Sequence, residues 1–326
     1  MKFLLPLYCF LIVSQVTLAQ GTYKKTLKLM GSRFDITVIA DSQEESDIFI
    51  NDAVEEIQRI ERLISSWDPN SQTSLINSQA GVKPVVVDLE LFNLIKRAIG
   101  ISNLTQGAFD ISYASMDKIW QFDGSMTKMP EASTIKQSVS KVGYKNIILD
   151  EANHSVFLKL KGMKIGFGAI GKGYAADQAK ALLKEKGVQG GIINASGDMN
   201  TWGYQTNGKP WQIAITNPLN KEHVFAMLPV DNRAIVTSGN YEKYVKFNNT
   251  RYTHIIDPRT GYPSTGVISV SVLAPKAELA DALATSIFVM GKDIGLDFVN
   301  QLDQIDCIII DENGTVFYSN KIKPKK

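Results

Sequence analysis

The chain has 326 residues, 44% of them hydrophobic and 21% charged, with 35 lysines and arginines against 33 aspartates and glutamates for a net charge of +2. That profile excludes a disordered or collagen-like chain, and the near-neutral balance excludes a surface that gathers nucleic acid. Two cysteines, Cys9 and Cys307, and three histidines, His154, His223 and His254, rule out a disulfide framework and a four-thiolate zinc site.

Met1 and Lys2 precede an almost unbroken apolar run over residues 3–19 that ends in Thr17-Leu18-Ala19. This reads as a secretory signal peptide. The alternative is an uncleaved membrane anchor, but Pro6 and Ser14-Gln15 interrupt the run, which falls short of the roughly 20 apolar residues a span requires. The expectation is an exported protein, working in the periplasm or at the outer face of the inner membrane. Residues 20–326 then form one compact unit with subdomains. Cys9 leaves with the signal, and Cys307, in the run Cys307-Ile308-Ile309-Ile310, reads as a buried inert thiol.

Along the remaining chain, residues 34–40 alternate like a strand, and residues 47–64 place Ile50, Val54, Ile57, Ile60 and Ile64 at helical spacing. The helical pattern returns over 89–104, and residues 146–161 read as two strands around the turn Glu151-Ala152-Asn153. A helix over 173–186 and a short buried strand over 191–195 follow. Asn207-Gly208 and Asn313-Gly314 each sit between strand-like runs, a hairpin signal, and residues 278–290 form an apolar helix. Hairpin-joined strands mixed with helices predict an α+β fold rather than a doubly wound sheet.

Three places carry chemistry. The stretch Gly166-Phe167-Gly168-Ala169-Ile170-Gly171 fits G-x-G-x-x-G before a helix, yet the strand before it looks like the second arm of an antiparallel hairpin, against a dinucleotide fold. Its glycines allow close backbone approach to an anion, with Lys172 adding a cation; equally, they allow tight strand-to-helix packing. Asp281 and Thr285, four apart on one helix face, form a hard-oxygen pair suited to magnesium, or else an acid near a helix start and a threonine bonded to the preceding turn. His254 stands where a strand runs into the turn Asp257-Pro258-Arg259-Thr260-Gly261, placed to act as an acid or base or simply as a polar turn residue.

Taken in order, Met30-Gly31-Ser32, Ser66-Trp67-Asp68-Pro69-Asn70-Ser71 with Asn77, Gly107-Ala108-Phe109-Asp110, the loop ending Lys172-Gly173-Tyr174-Ala175-Ala176-Asp177, Ser196-Gly197-Asp198, Ser238-Gly239-Asn240-Tyr241, the His254 segment and Ala280-Asp281-Ala282-Leu283-Ala284-Thr285 resemble the ApbE family of FAD:protein FMN transferases. The resemblance implies an ApbE-like fold and a magnesium-dependent enzyme that cleaves FAD, passes FMN to a threonine or serine of another exported protein through a phosphoester bond, and releases AMP. It implies that Met30, Trp67, Gly107, Ala108, Phe109, Lys172 and Ile255 bind FAD, that Asp281, Thr285 and the carbonyl of Ala169 hold magnesium, and that His254 is the base. The implied partners are acceptor flavoproteins of the periplasm or of redox-driven membrane complexes, which would bring the enzyme near the membrane. Two departures stand out: Gly166 occupies the place where the family usually has an acidic residue contacting the flavin nucleotide, and Gln72 follows Ser71 where the family has glutamate. FAD hydrolysis to free FMN and AMP, or FAD carriage without catalysis, are the rival readings.

Overall fold

A computed structural model describes residues 20–217, 220–239, 244–248 and 250–322. The expected signal peptide, Asn240, Tyr241 and the side chain of His223 lie outside this description. The fold opens with a hairpin of β1 (Gly21–Leu29) and β2 (Ser32–Ala40), turning at Met30-Gly31 with both residues at positive φ. The strand β1 is absent from the sequence reading because Lys25 stands on its half-buried face among Tyr23 and Leu27, which blurs the alternation.

Helix α1 (Gln43–Ile64) begins a turn earlier than its apolar spacing indicates. The Ser42 hydroxyl accepts from the Glu45 amide at 3.1 Å, capping a polar first turn that carries no apolar signal. Next come α2 (Gln72–Ser78), β3 (Val85–Val86), α3 (Leu89–Leu104), α4 (Ala132–Ser138), β4 (Ile147–Asp150) and β5 (Ser155–Leu158). Strands β3, β5 and β4 make a small antiparallel sheet, with the predicted turn at Glu151–Asn153 closing β4 onto β5. Beyond it lie α5 (Gly171–Glu185), β6 (Gly191–Ala195), β7 (Asp198–Trp202), β8 (Trp211–Asn217), β9 (Asn220–Val230), β10 (Ala234–Gly239), β11 (Tyr244–Phe247) and β12 (Thr250–Thr253). The chain closes with β13 (Val267–Ala274), α6 (Ala277–Met290), α7 (Lys292–Asn300), β14 (Asp306–Asp311) and β15 (Val316–Tyr318).

Eight strands form the main sheet in the order β1-β2-β6-β7-β10-β13-β14-β15, and every pairing among the described strands is antiparallel. The fold is therefore α+β, as the hairpin pattern predicts. One face of the sheet packs Phe34, Ile36, Ile193, Val236 and Val272 against α1, α5 and α6. The other face sends Ile235, Leu273 and Ile308 against Ile213, Ile215 and Val230 of the β8–β9 hairpin. Because β14 is covered on both sides, it reads as a continuous apolar run over 307–310, whereas the equally buried β13 carries Ser269 and Ser271; Cys307 is buried and free as expected.

One hairpin expectation is corrected. Asn313-Gly314 joins the paired strands β14 and β15, but Asn207-Gly208 connects β7, whose neighbours are β6 and β10, to β8, which pairs with β9. The local turn is real, with the Gly208 amide donating to the Gln205 carbonyl at 2.8 Å, yet the chain uses it to leave the sheet rather than to fold back along it.

Candidate active site

The first turn of α5 and the start of α6 are held together by the smallness of one residue. A Cβ on Gly173 would collide with the Ala277 carbonyl, so glycine alone lets the two helices approach this closely. Gly171 likewise leaves room for Ile64 of α1. The packing account of the glycine stretch thus holds for these two positions. Asp177, on the same helix, accepts from the amides of Ala277 and Glu278, both at 2.9 Å, and caps α6 from outside its own sequence. Burial raises the Asp177 carboxyl to about 6, against these bonds.

Next to this junction, the same two helices line a cavity of about 470 Å³. Lys172 of α5, Asp281 and Thr285 of α6, and Asp198 at the start of β7 line it, with Ala108, Phe109, Ala169, His254 and Ile255 completing the wall. Asp281 and Asp198 are 4% and 3% exposed. Lys172 forms an ion pair with Asp198, and Gly173 donates its amide to Asp281 at 3.3 Å. Burial first, and then the neighbouring Asp198 carboxylate, push Asp281 upward. Burial draws the Lys172 ammonium down, but the two carboxylates outweigh it and hold it above its ordinary value. Two buried carboxyls therefore share one lysine, which leaves Asp281 short of positive charge.

Among the described residues, no three of His, Cys, Asp and Glu gather as a metal-binding group. The cavity instead offers the Asp281 carboxyl, the Thr285 hydroxyl one turn on, at 3.4 Å from Ser238, and the main chain at Ala169. One under-compensated carboxylate with neutral oxygens fits a magnesium ion that draws its remaining ligands from water and substrate.

A second cavity, about 700 Å³, adjoins the first; Tyr113, Gly168, His254 and Ile256 line both. Its wall holds Trp67, 84% exposed with the Lys118 ammonium 5.4 Å from its ring centre, and Trp120. An uncovered indole beside a cation is a surface on which a planar ring can stack. Asn77 clamps the extended segment entering the glycine loop, its amide donating to the Ile165 carbonyl at 3.0 Å and accepting from the Ile165 amide at 2.8 Å.

His254 is exposed, just beyond β12. Its segment is tied down on either side: the Trp120 ring stacks at 6.4 Å on Tyr252, and the Trp120 indole donates to the Gly261 carbonyl at 2.9 Å. His154, by contrast, packs its ring against Phe92 at 5.6 Å, in the turn between β4 and β5.

The profile of the ApbE family matches residues 30–309. The chain belongs to the ApbE family. A FAD:protein FMN transferase of Klebsiella pneumoniae is 32% identical over 266 residues, covering 81% of this chain and 82% of that one. One from Treponema pallidum is 30% identical over 280 residues, covering 80% and 77%. Among solved structures, the ApbE protein of Thermotoga maritima superposes with a TM-score of 0.82 at 33% identity, covering 92% of this chain and 97% of that one. The flavin transferase ApbE of Vibrio cholerae shares the fold with a TM-score of 0.82 at 24% identity, over 94% and 100% of the two chains.

In this ApbE chain nine of the eleven residues singled out from sequence line the paired cavities, eight in the smaller and Trp67 in the larger. Met30 and Gly107 stand behind them. Met30 donates its amide to Glu61 at 3.1 Å and lies against the start of α5, while Gly107, at φ 80°, packs under Arg259 and Tyr144. Sequence reasoning passed over Asp198, Tyr113 and Asp177, whose side-chain partners lie 23 or more residues away, although Ser196-Gly197-Asp198 and the loop ending in Asp177 were visible as blocks. The Gln72 departure has a local cause: its amide donates to the Asp88 carboxylate at 2.5 Å and accepts from the Asp88 amide at 2.8 Å. A glutamate there could not donate, and would face a like charge.

Proposed function

We propose that the chain is an exported, magnesium-dependent FAD:protein FMN transferase that attaches FMN to a threonine or serine hydroxyl of an exported flavoprotein and releases AMP. The reading rests on one observation above all: Lys172, Asp281, Thr285 and His254 line a single cavity whose rim, at His254, is open to solvent. Flavin-transfer names borne by relatives covering about four-fifths of the chain support it.

In this reading the larger cavity, with Trp67 and Trp120, receives an aromatic part of FAD, and the smaller one receives the phosphates. Lys172, held in place by Asp198, presents a fixed cation to the pyrophosphate, so little reorganisation is needed when charge shifts during cleavage. Asp281, Thr285 and the Ala169 carbonyl would hold magnesium, which neutralises charge on the pyrophosphate. His254 accepts the proton of the incoming hydroxyl. The hydroxyl oxygen bonds to the FMN phosphorus, the bond from that phosphorus to the AMP oxygen breaks, and AMP leaves. A proton acceptor of this kind typically contributes about 10²–10⁴-fold. An exposed base is required if the hydroxyl arrives on another protein.

The test is incubation of the mature protein with FAD, magnesium and a candidate acceptor. Covalent flavin fluorescence on the acceptor together with AMP supports the reading. Free FMN with AMP and no labelled acceptor identifies a hydrolase, and intact FAD identifies a carrier.

A further inference from the structure

Gly166 breaks the pattern of the glycine loop, and the reading so far gives it no role. Its surroundings supply one. A Cβ on Gly166 would come within 3.1 Å of the Ala114 Cβ and 3.8 Å of the Tyr113 hydroxyl, and a Cβ on Gly168 would overlap that hydroxyl outright. The phenol thus lies over Gly168, where a side chain would displace it, while Gly166 is tightest against Ala114 of the same turn. Tyr113 is 38% exposed, yet this exposure is to the two cavities, at their junction.

The turn that carries Tyr113 is fastened to the loop it covers. Asp110 accepts from the Ser112 amide at 2.7 Å and from the Tyr144 amide at 2.7 Å. The Gly166 amide donates to the Ile111 carbonyl at 2.9 Å. Ser115 donates to the Lys164 carbonyl at 2.8 Å and accepts from the Lys164 amide at 2.7 Å. Bonds on both sides of residue 113 therefore fix the turn before any ligand arrives, and the Gly168 amide donates to the phenol oxygen, so a preset ring lining both cavities has its hydroxyl hydrogen left for a ligand oxygen.

We propose that Tyr113 is a substrate-positioning residue whose hydroxyl bonds an oxygen of the dinucleotide where it passes from one cavity to the other, and that Gly168 is glycine to seat this ring, with Gly166 leaving room for the neighbouring Ala114. The polar group missing from the loop at position 166 is thereby supplied from the facing turn. The inference rests on the reading that the paired cavities bind FAD.

The test is Tyr113→Phe in the mature chain, which keeps the ring and removes one oxygen. FAD affinity is measured by flavin fluorescence quenching, alongside KM and kcat for transfer and the melting temperature. The expected result is a rise of about tenfold in Kd and KM for FAD, the size of one lost hydrogen bond to substrate. The kcat should stay within about threefold, and Tm should fall by no more than the roughly 2–4 °C that loss of the Gly168 amide bond entails. Gly168→Ala, which displaces the hydroxyl without removing it, should weaken FAD binding comparably. If the wild type binds FAD and Tyr113→Phe binds it equally well, Tyr113 has no such role and the transferase reading stands. A wild type that fails to bind FAD removes both.

Discussion

The two halves of the site are built in opposite ways. Lys172, Asp198 and Asp281 sit on α5, β7 and α6, buried where three elements meet, with Asp177 capping one helix from another and Gly173 setting their separation. His254 stands exposed after a short strand, held through its neighbours by Trp120. The contrast is what the proposed reaction would require. Groups that act on a small anionic substrate gain from rigid, desolvated placement, whereas a base serving a hydroxyl carried on another protein has to stay reachable.

If the buried half carries the metal, its loss is the most damaging. Asp281→Asn preserves volume and removes charge, and turnover should fall by about 10³-fold or more, given that a bound metal contributes several kcal/mol of charge stabilisation. Titration of activity against magnesium checks this; full activity in the variant in the presence of EDTA would separate the cavity from any metal. The exposed half should fail differently. His254→Ala is expected to lose about 10²–10⁴-fold in kcat while retaining FAD binding. Equal loss of binding and turnover would erase the distinction between the halves.

A smaller effect is expected from the support of the exposed half. Trp120→Phe keeps the stack on Tyr252 but removes the bond to the Gly261 carbonyl, a loss of about 1 kcal/mol in anchoring. A severalfold fall in kcat that exceeds the change in KM would mark it as positioning the His254 segment.

The least effect concerns the scaffold of the buried half. Ser196, in the turn before Asp198, donates to the Arg33 carbonyl at 3.0 Å, and Arg33 also binds Asp35 at 3.0 Å. Burial works to raise the Asp35 carboxyl, but the bonds from Arg33, Thr26 and Lys24 prevail and lower it from 3.8 to about 2. Because the folded value lies below the unfolded one, this stabilisation is complete above pH about 4 and is lost as pH falls through 2. The Tm advantage of the wild type over Asp35→Asn should therefore be present at pH 7 and shrink towards zero near pH 2. A difference that persists unchanged would show that packing, not charge, is at stake.

Legibility in the sequence follows the range of the interactions. The helices of α1, α3, α5 and α6 and the hairpins β4–β5 and β14–β15 announce themselves through spacing and turn residues, since the information is local. Strand β1 and the first turn of α1 do not, because Lys25 blurs one pattern and Ser42 acts through a cap rather than an apolar face. The site divides the same way. His254 and the pair Asp281 and Thr285 stand out as candidates by residue type and position, while Asp198 joins the cavity only when β7 reaches Lys172, and Tyr113 only when its turn folds over Gly168. The glycine stretch is the instructive case, making room for neighbouring helices at Gly171 and Gly173 and for the Tyr113 turn at Gly166 and Gly168 within a few residues.

The most direct measurement is a single reaction of the mature protein with FAD, magnesium and an acceptor protein, followed by resolution of the acceptor and of the soluble nucleotides. The account predicts flavin fluorescence bound to the acceptor with AMP released in equal amount, and neither product from His254→Ala. AMP and free FMN in equal amount with an unlabelled acceptor would contradict it.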